Sequence, residues 1–413
     1  MGTAAAGIVL PLGVHGKERR RVVTIVFITV FLDLLGFGIL IPIQPFLALS
    51  FGARPAVITW LAASYSLMQF LFTPFWGRIS DRFGRRPVMI VSNAASAIGF
   101  FLFAYAESMT WLFASRIISG FGAANIGCAQ AIMADITSRD DRTKGMGLIS
   151  AAMGLGFIVG PVIGGVLGQN GFLAPALASG LLSFANLILI FWLLKETRVR
   201  DSAGSKARAN LCPPSERGNM ALLYALSFMI IMGFSLFEQS LGMFIDSLTR
   251  ALLDLPVDGD GFSLSVKRTA GFLAAIAIIS ASFQLTMLEK LSKAMGEQRL
   301  LVIGSLLSAI SLAFLPMIAQ SFGFWWMLMP ASLFAVGFSV CLPGIVSLIS
   351  QIASTEQQGA ALGRSQSCSA LGRVVGPMCC GVLFEISSSL PLFVGALALG
   401  VSAILSVRIN IVR

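Results

Sequence analysis

Polar residues are sparse in this chain. They leave apolar runs at about 22–49, 57–76, 88–106, 111–134, 145–168, 174–194, 219–245, 268–288, 299–319, 324–350, 360–383 and 389–408. Each run approaches or exceeds the ~20 residues that a helix needs to cross the hydrocarbon core of a bilayer. The pattern predicts twelve transmembrane helices. Basic residues mark the ends of the runs and fall mostly on one side. They include Lys17, Arg19, Arg20 and Arg21, then Arg78, Arg82, Arg85 and Arg86, then Arg139, Arg142 and Lys144, with more at 195–217, 290–299 and 408–413. The other side carries Arg54, Arg250, Lys267 and Arg268. Cytoplasmic loops retain Lys and Arg during insertion, so both termini are expected in the cytoplasm, as an even helix number requires.

The one long loop on that side, 195–218, is basic, contains Ser, Ala and Gly, and carries Pro213-Pro214. It separates six runs from six. The expected organisation is a cytoplasmic tail at 1–21, a six-helix bundle at 22–194, a linker at 195–218, a second bundle at 219–408 and a tail at 409–413. The bundles echo one another. Gly156-Phe157-Ile158-Val159-Gly160-Pro161 returns as Gly372-Arg373-Val374-Val375-Gly376-Pro377, and Gly147 maps onto Gly363 at the same separation. The expected fold class is therefore an all-α polytopic membrane protein made of two pseudo-symmetric six-helix bundles. Repeats of this kind place a substrate site near the midplane between the halves.

Composition sharpens that picture. The chain has 413 residues, 56% hydrophobic and 12% charged, whereas soluble domains carry roughly a quarter charged residues. A formal charge of +10 invites a nucleic-acid reading, but the basic residues sit at membrane-surface positions, so no nucleic-acid partner is expected. Cys128, Cys341, Cys368, Cys379 and Cys380 lie in apolar runs and read, with Cys212, as packing residues without metal spacing. The one histidine, His15, lies in the tail. No Gly-rich Lys-Ser/Thr phosphate loop and no catalytic constellation appears, so neither an enzyme, an ATP-driven pump, a metal nor a cofactor is expected. In the acidic outer loop 247–266, Asp258-Gly259-Asp260-Gly261 faintly resembles a calcium loop, but Thr269 stands where the closing Glu is needed.

A few polar residues interrupt the apolar runs. Asp33 lies about 17 Å into the first helix, near the midplane. A carboxylate there faces a cavity, is protonated part of the time, or pairs with a cation. Packing against a neighbouring helix is the plainer alternative. Arg116, in the fourth helix, is the available cation, or a structural tie. Glu238 and Arg373 stand in apolar surroundings in the seventh and eleventh helices and invite pairing. Gln44, Tyr65, Gln69, Asn125, Gln130 and Gln239 offer uncharged hydrogen bonds to a substrate cavity, or glue between helices. Phe228, Met229, Met232 and Phe237 suit an adaptable apolar pocket, or lipid-facing packing.

Four stretches carry a resemblance. Gly77-Arg78-Ile79-Ser80-Asp81-Arg82-Phe83-Gly84-Arg85-Arg86 resembles the loop 2–3 signature of the major facilitator superfamily. Arg116 through Ala124 is similar to that family's helix 4 motif, and Gly156 through Gly165, with Gly160-Pro161 and Gly164, to the helix 5 motif of its antiporter branches. Asp33-Leu34-Leu35-Gly36-Phe37-Gly38, followed by Pro42 and Pro45, resembles helix 1 of the drug:proton antiporters, tetracycline-efflux proteins among them. The resemblance implies a link between Arg116 and proton coupling. It also implies a cytoplasmic latch at Gly77, Asp81, Arg82, Gly84, Arg85 and Arg86, with Asp81 set against a helix N-terminus of the other half. Gly160, Pro161, Gly164, Gly376 and Pro377 are expected in gating.

The expected function is proton-coupled antiport, exporting a small amphipathic compound by alternating access. Protons, the substrate and the lipid bilayer are the expected partners of a monomer in the cell membrane. Asp33 is expected to carry the proton, Arg116 to modulate it, and Glu238 with Arg373 to form a second switch. The alternatives are a uniporter or importer on the same fold, and a receptor or scaffold that binds without transporting.

Overall fold

The computed structural model describes residues 17–137, 142–197, 217–253, 260–353 and 358–409. Most of the 1–21 tail, most of the 195–218 linker with Cys212, most of the 409–413 tail, His15 and the Asp258-Gly259 pair lie outside these residues. Among the described residues every regular element is helical. The first apolar run becomes α1 (Lys17–Leu40) and α2 (Gln44–Ser50), parted near Pro42, which cannot continue the backbone ladder. Pro45 sits in the first turn of α2, where its missing N–H costs nothing. Next come α3 (Pro55–Phe83) and α4 (Arg85–Ala104), then α5 (Met109–Ala123) and α6 (Ile126–Ile136), which share the fourth run. Helices α7 (Arg142–Leu167) and α8 (Leu173–Leu193) complete the first half. The second half contains α9 (Arg217–Leu253), α10 (Asp260–Thr286), α11 (Leu288–Met295), α12 (Glu297–Phe322), α13 (Leu328–Ile352), α14 (Gln358–Ile386) and α15 (Leu390–Val407).

Eleven stretches of the described residues are long and apolar enough to cross a membrane. The expected 268–288 run falls within and just beyond α10. Large apolar side chains such as Trp60, Leu71, Ile98, Leu181, Trp192, Ile310 and Leu397 are exposed on the helices. A water-soluble fold does not tolerate so much exposed apolar surface, whereas lipid does. The chain is a multi-pass membrane protein.

The chain divides into two compact units. One comprises Met1–Ile41, Met68–Ile163 and Asn170–Arg208, and the other Pro42–Leu67, Gly164–Gln169 and Ala209–Arg413. The second unit therefore takes in α2 and the first half of α3 as well as the helices after the linker. In the first unit a core of Val22, Val26, Val30 and Leu34 packs with Met89, Cys128, Ile132 and Ile190. The second is centred on Leu223, Ile230, Leu241, Leu312, Phe334 and Leu348.

Glycine sets how closely the helices approach. A Cβ on Gly160 of α7 would stand 2.7 Å from the Gly38 Cα of α1, and one on Gly156 would stand 2.7 Å from the Leu34 Cβ. The same pair recurs in the second unit. A Cβ on Gly372 of α14 would stand 2.7 Å from the Phe228 carbonyl oxygen of α9, and one on Gly376 would stand 2.7 Å from the Ser235 Cβ. The repeated sequence motif thus does the same packing job in each unit. Small residues let backbones meet, which is how helices associate where no hydrophobic drive separates protein from lipid.

Candidate functional site

The polar centre of the first unit is Asp33, half-buried on α1. Its Oδ1 accepts hydrogen bonds from the side-chain amides of Asn93 on α4 at 2.8 Å and Asn186 on α8 at 2.9 Å. Its Oδ2 accepts one from Asn125, just before α6, at 3.1 Å. Asn186 also donates to the Thr29 carbonyl at 3.1 Å, and the Ser183 hydroxyl donates to Asn93 Oδ1 at 3.4 Å. All three asparagines are buried. Neutral donors to a carboxylate support its ionised form, so the cage offsets part of the cost of holding charge in an apolar bundle.

Arg116 is fully buried on α5, with its guanidinium 4.6 Å from the ring centre of Phe103 and 5.6 Å from that of Phe100. Both rings belong to α4, which closes on α5 because a Cβ on Gly99 would stand 2.6 Å from the Ser119 nitrogen. An aromatic face attracts a cation where water is excluded. The hydrogen-bonding groups seen around Asp33 are thus amides, while rings flank Arg116. Between α5 and α6 the helical ladder breaks, and side chains of α3 fill the gap. The Trp76 indole donates to the Phe121 carbonyl at 2.8 Å and the Gln69 amide donates to the Ala123 carbonyl at 3.1 Å.

At the turn between the second and third apolar runs, Gly84 joins α3 to α4 with φ of 106°, a conformation that favours glycine. The Glu196 carboxylate receives the Arg85 backbone N–H at 2.8 Å and the Arg86 N–H at 3.2 Å, so a residue following α8 caps α4. Arg85 forms ion pairs with Asp81 at 2.6 Å and with Asp135 of α6 at 3.2 Å, and donates to the Ser80 hydroxyl at 2.6 Å. Burial raises the Asp135 carboxyl above the usual carboxylate range, while Arg85 pulls it down. Arg86 donates to the Phe191 carbonyl at 2.8 Å, Arg82 lies over Phe83, and Arg78 is exposed. The contact seen for Asp81 is with Arg85 of its own hairpin.

In the second unit, Glu238 of α9 and Arg373 of α14 are half-buried and within electrostatic reach of each other, and Arg373 also feels Tyr65 of α3. Phe237 is buried against Phe334, centre to centre 4.3 Å, and so belongs to the core. Gln44 is buried, while Gln130 and Gln239 are half-buried. Gly381 of α14 lies against α3, where an added Cβ would stand 2.8 Å from the Pro55 carbonyl oxygen. One turn on, Glu385 accepts the Ala56 N–H at 3.4 Å. Sequence reasoning missed Asn93, Asn186, Asp135 and Glu196. The first two carried a usable signal, since each is a lone amide in the middle of an apolar run.

Residues 26–377 match the sequence profile of the Major Facilitator Superfamily. The chain is 27% identical over 375 residues to tetracycline resistance protein, class B, of Escherichia coli, covering 90% of each. It is also 27% identical over 396 residues to multidrug resistance protein 1 of Bacillus subtilis (strain 168), covering 95% of this chain and 97% of that one. Among solved structures, the human organic anion transporter MFSD10 (TETRAN) superposes with a TM-score of 0.69 at 23% identity, over 95% of this chain and 100% of that one. The nucleoside transporter NupG superposes with a TM-score of 0.69 at 16% identity, over 95% of this chain and 98% of that one. At these identities the solved structures speak to the fold alone.

Proposed function

The chain belongs to the major facilitator superfamily, a family of membrane transporters of small molecules, and on that premise we propose that it exports small amphipathic compounds in exchange for protons. The observation that carries this reading is the acidic centre at Asp33, set inside a membrane helix and surrounded by amide donors. An ionisable group at that depth is costly unless its charge is used. The named relatives, resistance proteins for tetracycline and for multiple drugs, support the direction and the substrate class.

In this account Asp33 takes up a proton from one side and releases it to the other as the bundles alternate. The cage stabilises the anion well enough to form, and protonation removes the charge before the site must pass through a dry state. Arg116 keeps a permanent positive charge in the same unit and serves as the modulator of the proton carrier. Glu238, Arg373 and Tyr65 form a second polar centre, where Arg373 would meet an acidic substrate group or release Glu238 for a second proton. Gln44, Gln69, Asn125, Gln130 and Gln239 supply uncharged contacts. The glycine seams at Gly160 and Gly376, with Pro161, Pro377 and Gly164, let helices slide, and the Asp81–Arg85–Asp135 network holds the cytoplasmic end.

The test is accumulation of labelled tetracycline and a panel of amphipathic cations in inverted membrane vesicles with an imposed pH gradient. Accumulation that collapses on adding a protonophore is the expected result. Accumulation indifferent to the protonophore, or none across the panel, defeats the reading.

A further inference from the structure

Asp33 is not caged symmetrically. Oδ1 accepts two hydrogen bonds, from Asn93 and Asn186, whose positions lie on unbroken stretches of α4 and α8. Oδ2 accepts one, from Asn125. A carboxylate oxygen offers two lone-pair sites, so Oδ1 is filled by described donors and Oδ2 keeps a place. A proton arriving from water forms its O–H bond at Oδ2, which removes the negative charge there and weakens the one hydrogen bond that Oδ2 accepts, from the Asn125 amide.

Asn125 also stands at the break between α5 and α6. The ladder resumes when the Cys128 and Ala129 N–H groups both donate to the Asn125 carbonyl, at 2.8 and 3.0 Å. Ahead of it, the Phe121 and Ala123 carbonyls are satisfied by Trp76 and Gln69 rather than by helix. A break whose freed carbonyls are met by side chains from another helix is a built joint, not a frayed end. We propose that Asn125 is the positioning residue that transmits the protonation of Asp33 to this joint in the fourth membrane segment. The proposal rests on the reading of Asp33 as the proton carrier.

With Asp33 ionised, the Asn125 N–H holds the joint to α1. With the proton on Oδ2 that hold weakens, because the bond is no longer assisted by charge, and α5 and α6 bend more readily against one another. The proton returns to water by the reverse step and no other bond changes. The elements around Asp33 bring few charges. α8 carries no ionisable residue, α4 carries Arg85 and Arg86 in its first turn, and α5 carries Arg116. Cys128 and Asp135 lie on α6, α7 carries Arg142 and Lys144 in its first turn, and α1 itself carries Lys17, Glu18, Arg19, Arg20 and Arg21 at its start.

Acid-minus-base infrared difference spectra of the purified full-length protein in lipid test this without a transported ligand. Wild type should show a protonated-carboxyl band that Asp33→Asn removes, together with an amide-I change from the joint. Asn125→Leu should shift the midpoint of the band by about one pH unit towards alkaline, the size of one hydrogen bond to a charged group, and abolish the amide-I change. Asn93→Leu should shift the midpoint and leave the amide-I change. If Asn125→Leu does not fold, Gln69→Leu serves instead, with an amide-I change at least halved. A normal midpoint and amide-I change in Asn125→Leu, or an intact amide-I change in Gln69→Leu, overturns the proposal. A wild-type spectrum with no band dependent on Asp33 overturns the proton-carrier reading itself, and this inference with it.

Discussion

Gly84 is constrained twice over. Its φ of 106° lies where a Cβ is strained, and a Cβ would also stand 2.9 Å from the Glu196 carboxyl carbon. Glu196 must come that close because it supplies the acceptors for the first two N–H groups of α4, which have no partner inside the helix. Gly84→Ala is therefore expected to lower stability by about 1–3 kcal/mol, since it combines backbone strain with displacement of the cap. Thermal unfolding in detergent measures this, and Glu196→Gln, which keeps the shape but weakens the acceptor, should cost less. The glycine was legible in the sequence as part of a motif. Its partner was not, because Glu196 lies far along the chain and only folding brings the end of α8 to the start of α4. Asp33 repeats the lesson. Its depth followed from counting residues, but its neighbours depend on how α4 and α8 are rotated, and a string of letters does not carry that angle. The expectation of Arg116 as its companion followed from its charge, and its tie to proton coupling from the family resemblance; the hydrogen bonds seen at Asp33 come from amides, and Arg116 lies against Phe103 and Phe100.

Helices are the scale at which the sequence was most readable. The apolar runs became helices, since length and hydropathy alone decide what crosses a bilayer. Breaks within a run were harder to see. Pro42 announces the parting of α1 from α2, but the parting of α5 from α6 has no proline, and only Gln69 and Trp76 on another helix reveal how it is satisfied. The glycine motif of α7 was legible as a family signature, and the structure sets its Gly156 and Gly160 against α1. This makes a paired prediction. Gly160→Val should force α1 and α7 apart and cost about 1–3 kcal/mol, as overpacking does, and Gly376→Val should do the same to α9 and α14. Gly154 meets nothing within 4 Å of an added Cβ, so Gly154→Ala should be tolerated or stabilise by up to about 1 kcal/mol through better helix propensity. Unfolding midpoints of the three purified variants settle the ranking. Equal losses in all three would show that the seams are not close-packed.

On the scale of the whole molecule, duplication is the organising fact. One glycine motif, written twice, packs α7 on α1 and α14 on α9, and each unit holds an acidic residue beside those seams, Asp33 in one and Glu238 in the other. Charge on the two is handled differently. Asp33 receives amides, while Glu238 has the Arg373 guanidinium within reach, and in the proposed cycle the proton is carried at Asp33. The measurement that bears on this most directly uses purified protein in proteoliposomes, with exchange, driven by a pH gradient, of an amphipathic compound that the vesicle panel shows to be accumulated. Asp33→Asn should lose gradient-driven accumulation at least tenfold and still allow substrate to equilibrate across the bilayer. Asp33→Asn that accumulates substrate as well as wild type, and with the same dependence on the gradient, would contradict the account.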